Sequence, residues 1–189
     1  MSQLVWPGGG ADNDRKWDMA DKGYRYTVTP TPIGAAVAVF TGSDALVALG
    51  TAEDPLWVVD AVAQEIRGSL AAADEDIAGL GSQLGEYFDG SRTGFDVDID
   101  WILTDGFARQ ALQCVTEIPY GQTASYGEVA EMAGRPRAHR AVGTACRFTP
   151  LTLVVPVHRV IRADGTAGEF SGREDVKRFL LELEGATFR

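Results

Sequence analysis

Ser125-Tyr126-Gly127-Glu128-Val129-Ala130-Glu131-Met132-Ala133-Gly134-Arg135-Pro136-Arg137-Ala138-His139-Arg140-Ala141-Val142-Gly143-Thr144-Ala145-Cys146-Arg147 reads as two short helices joined by a tight turn. Ser125 and Glu128 have capping-box spacing: hydroxyl and carboxylate each satisfy a backbone N–H that the first helical turn leaves unpaired, which starts a helix running to about Ala133. Gly134-Arg135-Pro136 then breaks the chain, and Pro136 suits the first turn of a second helix of about ten residues ending near Arg147. These are helix-turn-helix proportions, a pattern shared by many packed helix pairs.

Working outward, Phe107–Glu117 reads as a helix closed by Ile118-Pro119-Tyr120-Gly121. Beyond the pair, an apolar run with Pro156 leads into a loop from Arg162 to Gly172 with three glycines, then a final helix carrying Val176, Phe179, Leu180 and Leu183. The N-terminal half differs in period. Tyr24–Val28, Ile33–Phe40 and Ala45–Gly50 are rich in strand formers, with Thr41-Gly42-Ser43-Asp44 as a hairpin connection. Leu56, Val59, Ala63, Ile66 and Leu70 predict a long helix, and Ile77, Leu80, Leu84 and Phe88 a shorter one. Phe95, Val97 and Ile99 alternate with aspartates, the pattern of an edge strand with an acidic outer face.

The fold class that follows is α+β. A leader over residues 1–22 precedes a small α/β domain over 23–100, with a three-stranded antiparallel sheet and helices. A mostly helical, winged-helix-like domain follows over 101–189, with Asp98–Thr104 as the linker.

Net charge is −10, but residues 1–100 hold six Lys/Arg against 17 Asp/Glu, whereas residues 101–189 hold eleven against ten. Six arginines, Arg135, Arg137, Arg140, Arg147, Arg159 and Arg162, fall in a stretch without an acid, the nearest being Glu131 and Asp164. On charge alone this is equally a phosphate-binding face or an ordinary solvated one. Cys114 and Cys146 lack metal-ligand spacing and read as reduced, buried thiols, so neither metal nor cofactor is implied. No stretch approaches the roughly 20 apolar residues that span a bilayer, and the start of the chain is unlike a signal peptide, which makes a cytoplasmic protein the expectation.

Ile118–Ala130, Arg140-Ala141-Val142-Gly143, Pro156-Val157-His158-Arg159 and Leu180-Leu181-Glu182-Leu183-Glu184-Gly185 together resemble the O6-alkylguanine-DNA alkyltransferase family, in the family's order and over most of residues 105–185. Thr31-Pro32-Ile33-Gly34 and Leu84–Gly90 carry a looser likeness in the N-terminal half. Members of that family repair alkylated guanine by moving the alkyl group onto their own cysteine. The resemblance implies base flipping from the minor groove of double-stranded DNA containing O6-alkylguanine. It makes Arg140 the side chain that fills the gap in the stack and Tyr126 the one that crowds the 3′ phosphate. Arg135 and Arg137 become backbone contacts, with Ala138, Ala141 and Gly143 as the small residues that permit close approach. His158 and Glu184 take the positions of the family's catalytic relay. The backbone N–H of Ser171 and the carbonyl of Val160 would read the base.

Four departures stand out. Val157 occupies the acceptor-cysteine position, and a branched hydrocarbon has no lone pair with which to displace an alkyl group. Thr149 replaces the family's asparagine in the turn before it, Phe170 replaces a tyrosine in the base-binding loop, and Leu112 stands where tryptophan is common. Three readings follow. The first is a monomeric, alkyltransferase-like protein that binds the lesion without repairing it and marks it for a repair-protein partner. The second is a true alkyltransferase in a cysteine-substituted form. The third is a degenerate homologue serving as a protein-interaction module, a reading favoured by the acidic N-terminal half. Cys146 is a poor substitute nucleophile, because the sequence sets no histidine beside it.

Overall fold

A computed structural model describes residues 23–189, so the leader expected over 1–22 lies outside the described residues. Two compact units are present, one of residues 23–103 with 150–152, the other of 104–149 with 153–189.

In the first unit, β1 (Arg25–Thr31), β2 (Gly34–Phe40) and β3 (Leu46–Ala52) form the expected antiparallel meander, with Arg25 opposite Phe40 and Ala35 opposite Ala52. Gly34 has φ 112°, and a Cβ there would lie 2.9 Å from the Ala52 carbonyl oxygen, so only glycine fits the turn from β1. Helix α1 (Pro55–Ile66) starts with Asp54 accepting from the Leu56 N–H at 3.0 Å and Pro55 in the first turn. It buries Val58, Val62 and Ile66 in a core with Tyr24, Val37, Val39, Val47 and Ala48. Each of its valine and isoleucine side chains is worth about 1.5–3 kcal/mol on burial. The helix stops short of Leu70, because Arg67 turns left-handed (φ 52°) and returns the chain for β4 (Ala71–Ala72) to pair parallel with β1. The sheet order is therefore β3-β2-β1-β4.

Helix α2 (Leu80–Phe88) also begins later than its periodicity predicts. Ala78 and Gly79 take positive φ, and the Asp76 carboxylate caps the N–H groups of Gly81 and Ser82 at 2.7 and 3.0 Å. The acidic edge strand over Phe95–Ile99 does not form. The Gln83 side chain takes both backbone groups of Asp96, donating to its carbonyl at 3.1 Å and accepting its N–H at 2.7 Å, which removes the ladder partners. Only Ile99 bridges to Leu46. Residues 150–152 join this sheet beside β3: Leu49 donates to the Pro150 carbonyl, and Thr152 donates back.

The second unit consists of α3 (Gly106–Thr116), β5 (Ala124–Ser125), α4 (Tyr126–Met132), α5 (His139–Arg147), β6 (Val160–Ile161) and α6 (Glu174–Leu183). The capping box holds in both directions, Ser125 Oγ accepting from Glu128 N at 3.2 Å and Glu128 Oε2 from Ser125 N at 2.6 Å. Pro136 is not in a helical turn. The Ala138 N–H closes a turn onto the Arg135 carbonyl at 2.8 Å, with Pro136 second in it, where its fixed φ is preset, and α5 starts only at His139. Helix α3 packs against both α4 and α5, and β5 pairs in parallel with β6. Among the described residues no helix is long and apolar enough to cross a membrane, and no group of three or more His, Cys, Asp or Glu is placed to hold a metal ion.

Candidate functional site

Pairing of β5 with β6 sets the loop before α4 beside the Val157–Arg159 turn, and the end of α6 closes over both. Glu184 is the hub. Its carboxylate receives His158 Nε2 at 2.8 Å, Arg159 Nε at 2.8 Å and Nη2 at 2.9 Å, and the Gly121 N–H at 3.3 Å. Arg159 Nη1 adds a bond to the Ile118 carbonyl at 2.6 Å. A carboxylate only accepts, so the imidazole donates Nε2–H and presents the lone pair of Nδ1. That nitrogen is fully buried and finds no hydrogen-bond partner among the described residues. Burial pushes the imidazole pKa below its ordinary value, outweighing the pull of Glu184, and the neutral ring follows. Gly121 (φ 73°) is obligatory here, since a Cβ would lie 2.8 Å from the Glu184 carbonyl oxygen. Beside this knot Val157 is buried at 3% exposure.

A second buried cation lies next to it. Lys177, 1% exposed on α6, donates from Nζ to the Val160 carbonyl at 2.6 Å and sits 5.9 Å from the centre of the Tyr126 ring. No carboxylate lies within ion-pair distance among the described residues, and desolvation lowers its pKa to about 8. Tyr126 packs beside Gly143 of α5, where a Cβ would be 3.8 Å from the ring, and burial raises its hydroxyl pKa to about 12. Burial also pushes the Cys146 thiol up to about 12, which leaves no thiolate at neutral pH. Cys114 is likewise raised, and both thiols are free and half-buried rather than fully buried.

On the outside, Arg135, Arg137, Arg140 and Ala141 are exposed along the turn and the start of α5, and the Arg135 guanidinium stacks 4.9 Å over the Phe107 ring. Ser171, at φ 52°, ties the 162–172 loop to the end of α5 by donating from Oγ to the Arg147 carbonyl at 3.2 Å. Phe170 is half-buried, and Thr149 is buried.

Residues 106–186 match the family model described as the DNA-binding domain of 6-O-methylguanine DNA methyltransferase. The chain is 42% identical over 129 residues to a methylated-DNA–protein-cysteine methyltransferase of Mycolicibacterium paratuberculosis, an alignment covering 68% of this chain and 78% of that protein. The chain belongs to the O6-alkylguanine-DNA alkyltransferase family. A second relative, from Mycobacterium bovis and with the same description, is 46% identical over 107 residues, 57% of this chain and just under two thirds, 64%, of that protein. The structure is similar to Mycobacterium tuberculosis OGT in complex with DNA, with a TM-score of 0.69 and 34% identity over 85% of this chain and 92% of that one. The α+β class, with a sheet in one unit and helices dominating the other, is that of the alkyltransferases.

Of the residues singled out in the sequence, the alkyltransferase fold brings His158 and Glu184 into direct contact and gathers Tyr126 and Val160 around Lys177, with Gly143 beside the Tyr126 ring. Arg135, Arg137, Arg140 and Ala141 stay on the exposed surface, and Ser171 engages α5 through its side chain. Sequence reasoning overlooked Lys177 and the structural part of Arg159. A signal existed: Lys177, Leu180, Leu181 and Glu184 recur at i, i+3, i+4 and i+7, so the apolar stripe of α6 carries two charges that must be buried with it.

Proposed function

We propose that this protein binds O6-alkylguanine in double-stranded DNA, turns the damaged base out of the helix, and holds it without taking up the alkyl group. The observation that carries this reading is Val157: the residue beside a complete, buried His158–Glu184–Arg159 knot is a hydrocarbon. A neutral imidazole with a free acceptor nitrogen is equipped to take a proton, yet nothing at position 157 has one to give. Cys146 offers no replacement, its thiol being held protonated. The exposed Arg135, Arg137 and Arg140 suit phosphate and base contacts, and the small, exposed Ala141 suits a helix pressed into a groove. The similar structure of Mycobacterium tuberculosis OGT in complex with DNA supports DNA as the partner. On this reading the protein is a cytoplasmic monomer divided near residue 100, with Thr149, Val160, Phe170 and Ser171 around the base, and it passes the lesion to a repair protein.

A second reading rests on the relatives, whose descriptions are of cysteine methyltransferases. Here the native chain would carry cysteine at 157, and sequencing that codon in the native gene decides the matter.

The experiment is incubation with an O6-methylguanine duplex followed by intact-mass measurement. The unaltered protein gains nothing, and Val157→Cys gains one methyl group: the sulfur–carbon bond forms, the carbon–O6 bond breaks, and guanine leaves with the thiol proton. Methylation of the unaltered protein would sink the non-transferring reading. Unmethylated Val157→Cys would mean that Thr149 and Phe170 no longer support a productive pocket.

A further inference from the structure

The outer face of α1 plays no part in the reading above. Leu56 and Trp57 are 61% and 39% exposed in its first turn, and Asp60 and Gln64 are exposed as well. At about 100° per residue these four share roughly a third of the helix circumference, opposite the buried Val58, Val62 and Ile66. Glu53 and Asp54 lie immediately before the helix, and the Asp54 carboxylate is engaged with the Leu56 N–H. Glu53 and Asp60 have no cation within ion-pair distance among the described residues. Residues 23–103 carry 13 acids and three bases: Arg25 and Arg92 are paired with Asp44, Glu75 and Glu86, and Arg67 stands at the opposite end of α1 from Leu56 and Trp57. Adjacent exposed tryptophan and leucine rimmed by unpaired carboxylates have the composition of a binding hot spot with a polar edge.

We propose that this face docks a basic amphipathic segment of a partner protein, its apolar side chains seated on Leu56 and Trp57 and its Lys or Arg residues paired with Glu53 and Asp60. Charge complementarity selects a basic partner, since an acidic one would meet uncompensated repulsion across the whole unit.

The probe is a short synthetic leucine–lysine amphipathic helix, titrated against the full chain and followed by fluorescence anisotropy of the labelled peptide. It should bind, while a polylysine peptide of equal length and a leucine–glutamate helix should bind far more weakly. Leu56→Ser with Trp57→Ala should weaken binding by at least about tenfold. Glu53→Lys with Asp60→Lys, which leaves the apolar pair in place, should weaken it by a similar factor and flatten its salt dependence. Full affinity in the Leu56/Trp57 variant, or equal binding of polylysine, would overturn the proposal. So would a dimer, seen by sedimentation and lost with Trp57→Ala, because the face would then belong to a second copy. The read-out does not involve DNA, so the lesion-binding reading and this one fail separately.

Discussion

Lys177 is buried at 1% exposure and bonded to a carbonyl, with no carboxylate within ion-pair distance among the described residues. Its pKa of about 8 in the folded protein against 10.5 when free has a thermodynamic sign. Between those values the unfolded chain holds a proton that the folded one has released, so stability falls as pH drops through the window. The accumulated cost at neutral pH is of the order of 3 kcal/mol. In the range from pH 8 to 9, below the ordinary titration of tyrosine, the parent should gain about 1 kcal/mol over Lys177→Met. Urea unfolding of both proteins at the two pH values measures the difference, and parallel profiles would show that the ammonium is not desolvated. The knot around Glu184 differs in kind. There the arginine and imidazole donors satisfy the carboxylate, so losing one partner strands the others, and its contribution is to position rather than to net stability.

Helix α5 is built to be approached. Its buried side rests on Val142 and Ala145, its start is exposed, and Gly143 lies beside the Tyr126 ring, where a Cβ would make only ordinary contact. If Arg140 fills the gap left by a flipped base, Arg140→Ala should weaken binding to an O6-methylguanine duplex by about 1–3 kcal/mol more than binding to a plain duplex. Anisotropy with matched duplexes reads this, and equal losses would reduce Arg140 to a charge contact. The two helices and the capping box were legible in sequence because each depends on groups three or four residues apart. The start of α5 was misplaced, since Pro136 suits a β-turn as well as a helical first turn and only the bond from Ala138 to Arg135 chose between them. The edge strand over Phe95–Ile99 failed for a related reason: alternation marks strand-forming residues, but Gln83, thirteen residues before Asp96, claimed the backbone groups a neighbouring strand would need.

Across the whole molecule, charge is segregated along the chain, with the acidic excess in residues 1–100 and the acid-free arginine stretch between Glu131 and Asp164. On the proposed mode of binding, the response to salt is set by local phosphate contacts rather than by the net charge of −10. Arg137→Ala should reduce affinity for damaged and plain duplexes equally and lower the slope of log affinity against log salt by about one unit. A salt titration of parent and variant tests this, and an unchanged slope would remove Arg137 from the phosphate-binding face. The sequence by itself determined the α+β class, the helix pair, the family and the valine at position 157, all properties of residue identity, local period, capping and motif order. Tertiary structure alone decided that Gly121 and Glu184, 63 residues apart, meet with His158 and Arg159, and that Lys177 is buried against Val160. The reason is desolvation: whether a charge on an apolar stripe is buried, and which donor or acceptor then satisfies it, depends on chain segments that no short-range pattern brings together.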